Sequence, residues 1–296
     1  MSENRAYNKN EIAYVTQLFT PDWIVKYLVE NTLARYVSNS SSLQLLEKLK
    51  YYDKNGEHIE NKNNVQDIKF IDPCCGSGHI LVYAFEVFYR IYVNAGFNKN
   101  DIPSLILKNN LYGIDIDDRA GQLSVLAILL KAREYDKNIF NKNIAKNVNI
   151  ISIQETNKIT NGLLDNINDE NARMIAEKLV DTFKNAKEIG SLLKVEKEDF
   201  SILEKYIQND NTIFGIELES RLTPIITAAK MLSSKYDLYV TNPPYMNNNG
   251  MTNNIKNYLK KHYAESKTDL YACFMNLDIL KPNGLMGMIN QHGWMF

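Results

Sequence analysis

The stretch 236-YDLYVTNPPYMNNNG-250 ends a run of strand-forming residues in Asn242-Pro243-Pro244-Tyr245. Two successive prolines can neither continue a helix nor donate to a sheet ladder. The side-chain oxygen of Asn242 accepts a hydrogen bond, and so does the carbonyl of Pro243, which the fixed proline φ holds outward. Two acceptors aimed at one point suit an amino group with two hydrogens. Tyr245 adds a flat face for stacking a planar group. Such a corner fits methylation of an exocyclic amine, a poor nucleophile whose lone pair is delocalised. Holding both N–H hydrogens out of plane localises that pair, so positioning and electrostatics supply the rate. By itself the same tetrapeptide is explained as a strand-ending turn with an Asn cap and an ordinary half-buried Tyr.

A second group of residues changes the balance. In 72-DPCCGSG-78 a short strand ends in an acid and a proline, and a glycine turn leads into a helix. Glycines there let backbone approach a ligand, and the helix start offers free N–H groups. One strand later Asp115 ends 111-LYGID-115, where a carboxylate can hold ribose hydroxyls. Leu81 stands where a dinucleotide fingerprint needs its third glycine, and the P-loop pattern is absent. Asp72 would repel a pyrophosphate and favour a positively charged ligand. These residues favour S-adenosylmethionine over NAD or ATP.

The elements that must position these groups alternate. Strands are expected at 68–71, 111–117, 148–153, 237–241 and 284–290. Helices are expected at 20–37, 43–52, 78–94, 118–134, 170–186, 198–208 and 268–280. In the first of these helices, Thr20 and Pro21 suit the start. The alternation predicts a doubly wound, mostly parallel α/β sheet with helices on both faces. Residues 1–66 form an N-terminal helical segment in this scheme, and 67–155 the first half of the catalytic domain. A helical insertion follows at 156–235, then the half carrying the catalytic motif at 236–296.

Composition bounds the function. The 296 residues are 45% hydrophobic and 23% charged with a formal net charge of −1, so nucleic-acid binding must come from a local patch or a partner. Three cysteines, an odd and small count, argue for a reducing compartment and against a disulfide framework, and none makes a Cys-x-x-Cys pair or has a His at zinc-ligand spacing. His58, His79, His262 and His292 lack metal spacing, so no metal is expected. The polar opening has no signal-peptide core, and the apolar run 123-LSVLAILL-130 is too short for a bilayer. A cytoplasmic location with no membrane contact is expected. Cys74 and Cys75 read as small packing residues, and Trp23 as core rather than ligand. Lys256, Lys260, Lys261 and Lys267, with Tyr258 and Tyr263 between them, make either a phosphate-contacting segment or a solvated helix face. The loop 246-MNNNGMTNN-254 fits a substrate lid and plain disorder equally.

With these motifs in hand the sequence resembles the gamma class of N6-adenine DNA methyltransferases. The nearest likeness is to PglX-like enzymes of BREX phage-defence systems and to type II restriction-enzyme methylase subunits. The carriers are 19-FTPDWIVKYLVENTLARY-36, 71-IDPCCGSGHILVYAFEV-87, 112-YGIDIDDRAGQL-123, 237-DLYVTNPPYM-246 and 267-KTDLYACFM-275. The resemblance implies a class I, Rossmann-like, S-adenosylmethionine-dependent fold. It implies that Thr20 and Pro21 touch the methionine moiety, and that Asp72, Cys74, Gly76 and Gly78 form the cofactor loop. It also implies that Asp115 holds the ribose, Ile116 lies beside adenine, and Asp269, Leu270 and Tyr271 line the pocket. Gln154 and Glu155 are the two candidates for an acid contacting the cofactor's adenine amine. Asn242, Pro243, Pro244 and Tyr245 become the catalytic motif, acting on adenine flipped from double-stranded DNA. Other defence-system subunits are implied partners. The family's target-recognition region is not found before Phe296, so a fragment or truncated product is expected. Two other readings stand beside it: a protein-glutamine methyltransferase using the same corner, and a catalytically silent cofactor-binding or assembly module.

Overall fold

A computed structural model describes residues 20–37, 49–56 and 64–295. Among them the chain forms α1 (Asp22–Val29), β1 (Phe70–Asp72), α2 (His79–Asn94), α3 (Ile102–Asn109), β2 (Leu111–Asp115), α4 (Asp118–Tyr135) and β3 (Asn149–Ser152). The β3–β4 connection carries α5 (Asn161–Leu164), α6 (Glu170–Thr182), α7 (Ala186–Ile189), α8 (Ser201–Asn209) and α9 (Ile213–Leu232). Then come β4 (Tyr236–Thr241), α10 (Asn253–His262), α11 (Leu270–Met275) and β5 (Leu280–Met288). The five strands lie in the order β3-β2-β1-β4-β5, and every pairing is parallel. This is the expected doubly wound Rossmann-like α/β sheet. Its winding reverses between β1 and β4, and the carboxyl ends of those strands open the crevice where such sheets take ligands.

Alternating side chains supply a core on each face. Phe70, Leu238 and Val240 face a layer containing α1, α2 and α4, while Ile71 and Tyr239 face a layer built from the β3–β4 connection, α10 and α11. Burial of both faces explains the near-continuous apolar runs of the strands.

α1 continues through a π-helical turn, Glu30–Ala34, and lies beside β4 and β5. Near its far end Tyr36 donates to Asp237 Oδ1 at 2.8 Å, at the start of β4. Before its first turn Thr20 meets the residue after β4. The helix is thus pinned to β4 at both ends and runs antiparallel to it, which fixes Thr20 over the crevice.

Three expectations change. Trp23 is 57% exposed, because the buried stripe of this helix runs through Val25, Val29, Leu33 and Tyr36 and leaves Trp23 outside it. The segment expected as helix over 268–280 is helical only for Leu270–Met275, since β5 begins at Leu280. The segment expected as helix over 43–52 lies outside the described residues apart from 49–52, which are not helical.

Candidate active site

β1 ends in Asp72, which is 1% exposed. Its Oδ1 accepts from Thr241 Oγ1 at 2.7 Å and from the Cys74 amide at 3.1 Å. The acid therefore ties the end of β1 to the end of β4 across the winding reversal. Burial, the leading cause, pushes this carboxyl up to about 7. Asp72 does not line the crevice, so it acts on the crevice through the loop it holds.

That loop turns sharply. Gly76 and Gly78 have φ of +52° and +87°, the left-handed region that glycine enters freely. A Cβ on Gly78 would lie 2.5 Å from Ser124 Oγ and 3.1 Å from Ser124 Cα, so α2 and α4 meet there at contact distance. A Cβ on Gly76 would meet nothing within 4 Å. The Gly76 amide donates to Asp115 Oδ2 at 2.8 Å, and Asp117 donates to Asp115 Oδ1 at 2.9 Å. Asp115, at the end of β2, thus braces the glycine loop. Burial raises its carboxyl, partly opposed by these amide donors.

The third strand end brings Asn242. Its Nδ2 donates to Thr20 Oγ1 at 3.0 Å. The Tyr245 hydroxyl lies 2.7 Å from the Ile289 carbonyl and 3.0 Å from Asn242 Oδ1. It has one hydrogen, and the carbonyl is the nearer acceptor, so Asn242 Oδ1 keeps acceptor capacity. Tyr245 is half-buried rather than exposed, with its ring centroid 6.0 Å from that of Tyr271.

One cavity joins these groups. Cys74, Gly76, Asp115 and Ile116 line one side of it, and Asn242, Pro244 and Leu270 the other. Cys75 is buried, while Cys74 is only partly buried and lies in the wall. Among the described residues no Lys, Arg or His lines the cavity, and the acids that do are Asp115, Asp117 and Glu188. Asp72, Pro243, Tyr245, Gly78, Thr20 and Pro21 lie behind or beside the wall rather than in it. Gln154 and Glu155 also stand outside the cavity lining. Gln154 Nε2 donates to Asp118 Oδ1 at 2.6 Å, and Glu155 Oε1 accepts from the Lys187 amide at 3.2 Å.

A further stretch of the wall, residues 188–192, has no counterpart in the sequence reading of the site. Ser191 donates to the Pro73 carbonyl, and Tyr263 donates to the Leu192 carbonyl at 2.8 Å. This strap spans from the glycine loop to α10. The only local signal was Gly190 beside Ile189 and Leu192-Leu193 in an otherwise helical region; its φ is +61°. The strap also explains the aromatics after the Asn-Pro-Pro-Tyr corner. Tyr263 is buried and Tyr258 accepts from the Lys194 amide at 2.7 Å, so both rings pack inward. The loop 246–254 is fastened by the Asn247–Asp269 bridge and by Met251, which is fully buried. Among the described residues no group of His, Cys, Asp and Glu could hold a metal ion, and no helix is long and apolar enough to cross a membrane.

The chain is 34% identical to the adenine-specific methyltransferase BrxX of Escherichia coli O9:H4 (strain HS), over 99% of its own length and 28% of that protein. It is also 34% identical to the adenine-specific methyltransferase PglX of Lacticaseibacillus casei (strain Zhang), over 99% of this chain and 27% of that one. The type II restriction enzyme and methyltransferase RM.Eco57I of Escherichia coli is 24% identical over 91% of this chain and 22% of that protein. The chain therefore spans about a quarter of the length of these relatives. Residues 109–296, from the last residue of α3 onward, match the family described as Eco57I restriction-modification methylase, and the chain belongs to that family.

Proposed function

We propose that this chain carries the cofactor- and amine-binding part of an S-adenosylmethionine-dependent DNA adenine N6-methyltransferase. The system it serves is of the restriction-modification or BREX phage-defence type. One observation carries this reading: Asn242, after β4, and Asp115, at the end of β2, open into the same cavity.

The cavity fits that cofactor by its donor set. Among the described residues its wall holds three carboxylates and no cation, which suits a ligand bearing hydroxyl, amine and positively charged groups. The open side of Gly76 leaves backbone free for close approach. The bound cofactor supplies an electrophilic methyl group. The chain's own residues then do the rest. Asn242 Oδ1, with the Pro243 carbonyl next to it along the chain, takes the two hydrogens of the target amine and leaves its lone pair directed into the cavity. Thr20 fixes the Asn242 amide by accepting from Nδ2, so the oxygen cannot rotate away. The Tyr245–Tyr271 pair provides the aromatic surface beside it. No covalent intermediate with the chain is required.

Calorimetric titration of S-adenosylmethionine into the folded chain tests the cofactor half. Saturable one-to-one binding is expected, and no heat of binding would sink the assignment. For the chemistry, Asn242→Ala in the full-length protein is expected to lower adenine methylation by about 10²–10³-fold, the scale of losing one preorganised hydrogen-bonding group. Methylome sequencing that finds the modification unchanged removes Asn242 from the mechanism.

A further inference from the structure

Glu188 is the one acid in the cavity wall that comes from the β3–β4 connection rather than from a strand end. It is half-buried, and Thr252 Oγ1 donates to its Oε2 at 2.8 Å. Thr252 is itself fixed, because the same hydroxyl caps α10 by accepting from the Ile255 amide at 3.2 Å. The backbone under Glu188 is held as firmly. The preceding Lys187 gives its amide to Glu155 and its ammonium to Asp118 at 2.7 Å, and Ser191 holds the Pro73 carbonyl. Glu188 Oε1 takes no hydrogen bond from the described residues. One carboxylate oxygen is thus pinned and the other is left for a ligand.

The surroundings indicate which ligand group that is. Ile116 follows Asp115 directly, and a Cβ on Gly190 would lie 2.9 Å from Ile116 Cγ2. Ile116 and Ile189 both line the cavity, giving an aliphatic surface on which a flat ring can lie beside the strap that carries Glu188. Of the other acids near this end, Asp115 is committed to the Gly76 and Asp117 amides, Asp117 Oδ1 caps α4 by accepting from the Arg119 amide at 2.9 Å, and Glu155 accepts from the Lys187 amide just before the strap. We propose that Glu188 Oε1 accepts a hydrogen bond from the exocyclic amine of the cofactor's adenine, making the connection between β3 and β4 part of the cofactor site. This rests on the cofactor reading above.

The test compares two ligands that differ at that amine. S-adenosylhomocysteine and S-inosylhomocysteine, in which a carbonyl oxygen replaces the amine, are titrated calorimetrically into the wild-type chain and into Glu188→Gln. The wild type is expected to bind the adenosyl compound about tenfold or more tightly, the scale of one hydrogen bond to a charged group. Glu188→Gln can still accept from Thr252 but turns an NH₂ group toward the ligand. It is expected to lose about tenfold for the adenosyl compound and to hold or improve its affinity for the inosyl one. Equal wild-type affinity for both ligands overturns the contact without any variant. So does a variant that weakens both ligands alike or keeps the wild-type preference. Binding of neither nucleoside by the wild type brings down the cofactor reading, and this assignment with it, whereas indifference to the amine brings down Glu188 alone.

Discussion

Asp72 and Asp115 close adjacent parallel strands with the same side chain, yet they stand in different places. The register pairs Asp72 with Gly113, so Asp115 lies two residues farther along the sheet. At about 3.3 Å per residue that is about 6.6 Å, enough to carry a carboxylate from the sheet interior to the ligand crevice. Asp72 is consequently an internal latch between β1 and β4, and Asp115 a wall of the cavity. The burial-driven rise in proton affinity is shared by both, so perturbed acidity does not separate them. Register does.

The largest test of this contrast is Asp72→Ala. It strands the buried Thr241 hydroxyl and the Cys74 amide and leaves a void, which together cost about 3–4 kcal/mol. Urea unfolding of the folded chain measures this. Asp72→Asn keeps an oxygen for both donors and should cost far less. It should also change the response to pH. The native carboxyl, near 7, holds its proton more tightly than the unfolded one, at its ordinary 3.8. Between those values the native state binds more protons, so this group's contribution to stability falls as pH rises and levels off above about 7. The full span corresponds to about 4 kcal/mol. That slope should vanish in Asp72→Asn, and its survival would mean that another group carries it.

The two loop glycines sharpen the same division between latch and cavity. Gly78→Ala meets Ser124 backbone in a left-handed conformation and should cost about 2–3 kcal/mol. Gly76→Ala shares the conformation but faces open space, so about 1 kcal/mol is expected. Equal losses in urea unfolding would show that the contact with α4 contributes nothing.

These motifs were legible because each is local. Strand, turn glycines and following helix lie within 68–94, and β4 with its Asn-Pro-Pro-Tyr corner within 236–245. What stayed hidden depends on distant pairings. The depth of Asp72 is set by its register with β2 and by Thr241, which is 169 residues away. The strap reaches the cavity through bonds from Leu192 to Tyr263 and from Ser191 to Pro73, separated by 71 and 118 residues. Nothing in the composition of 156–235 distinguishes Glu188 from its solvated acidic neighbours. Trp23 was misplaced for a related reason: an apolar helix can bury only one stripe, and the neighbour that selects the stripe is not in the local sequence.

The smallest effect, and the one that most directly opposes the two acids, is Asp115→Ala. It removes an acceptor from the Gly76 and Asp117 amides. Asp115 is partly open to the cavity, so water can replace the lost oxygens, and stability should fall by only about 1 kcal/mol. Binding of S-adenosylmethionine should fall by about tenfold, because a charged acceptor is lost from the wall and the glycine loop loses its brace. The ratio of the two losses carries the argument. Asp72→Ala should damage the fold before it damages affinity, and Asp115→Ala the reverse. If both variants weaken the fold equally and leave affinity in the folded fraction intact, then the two-residue offset between the strand ends does not divide structure from site.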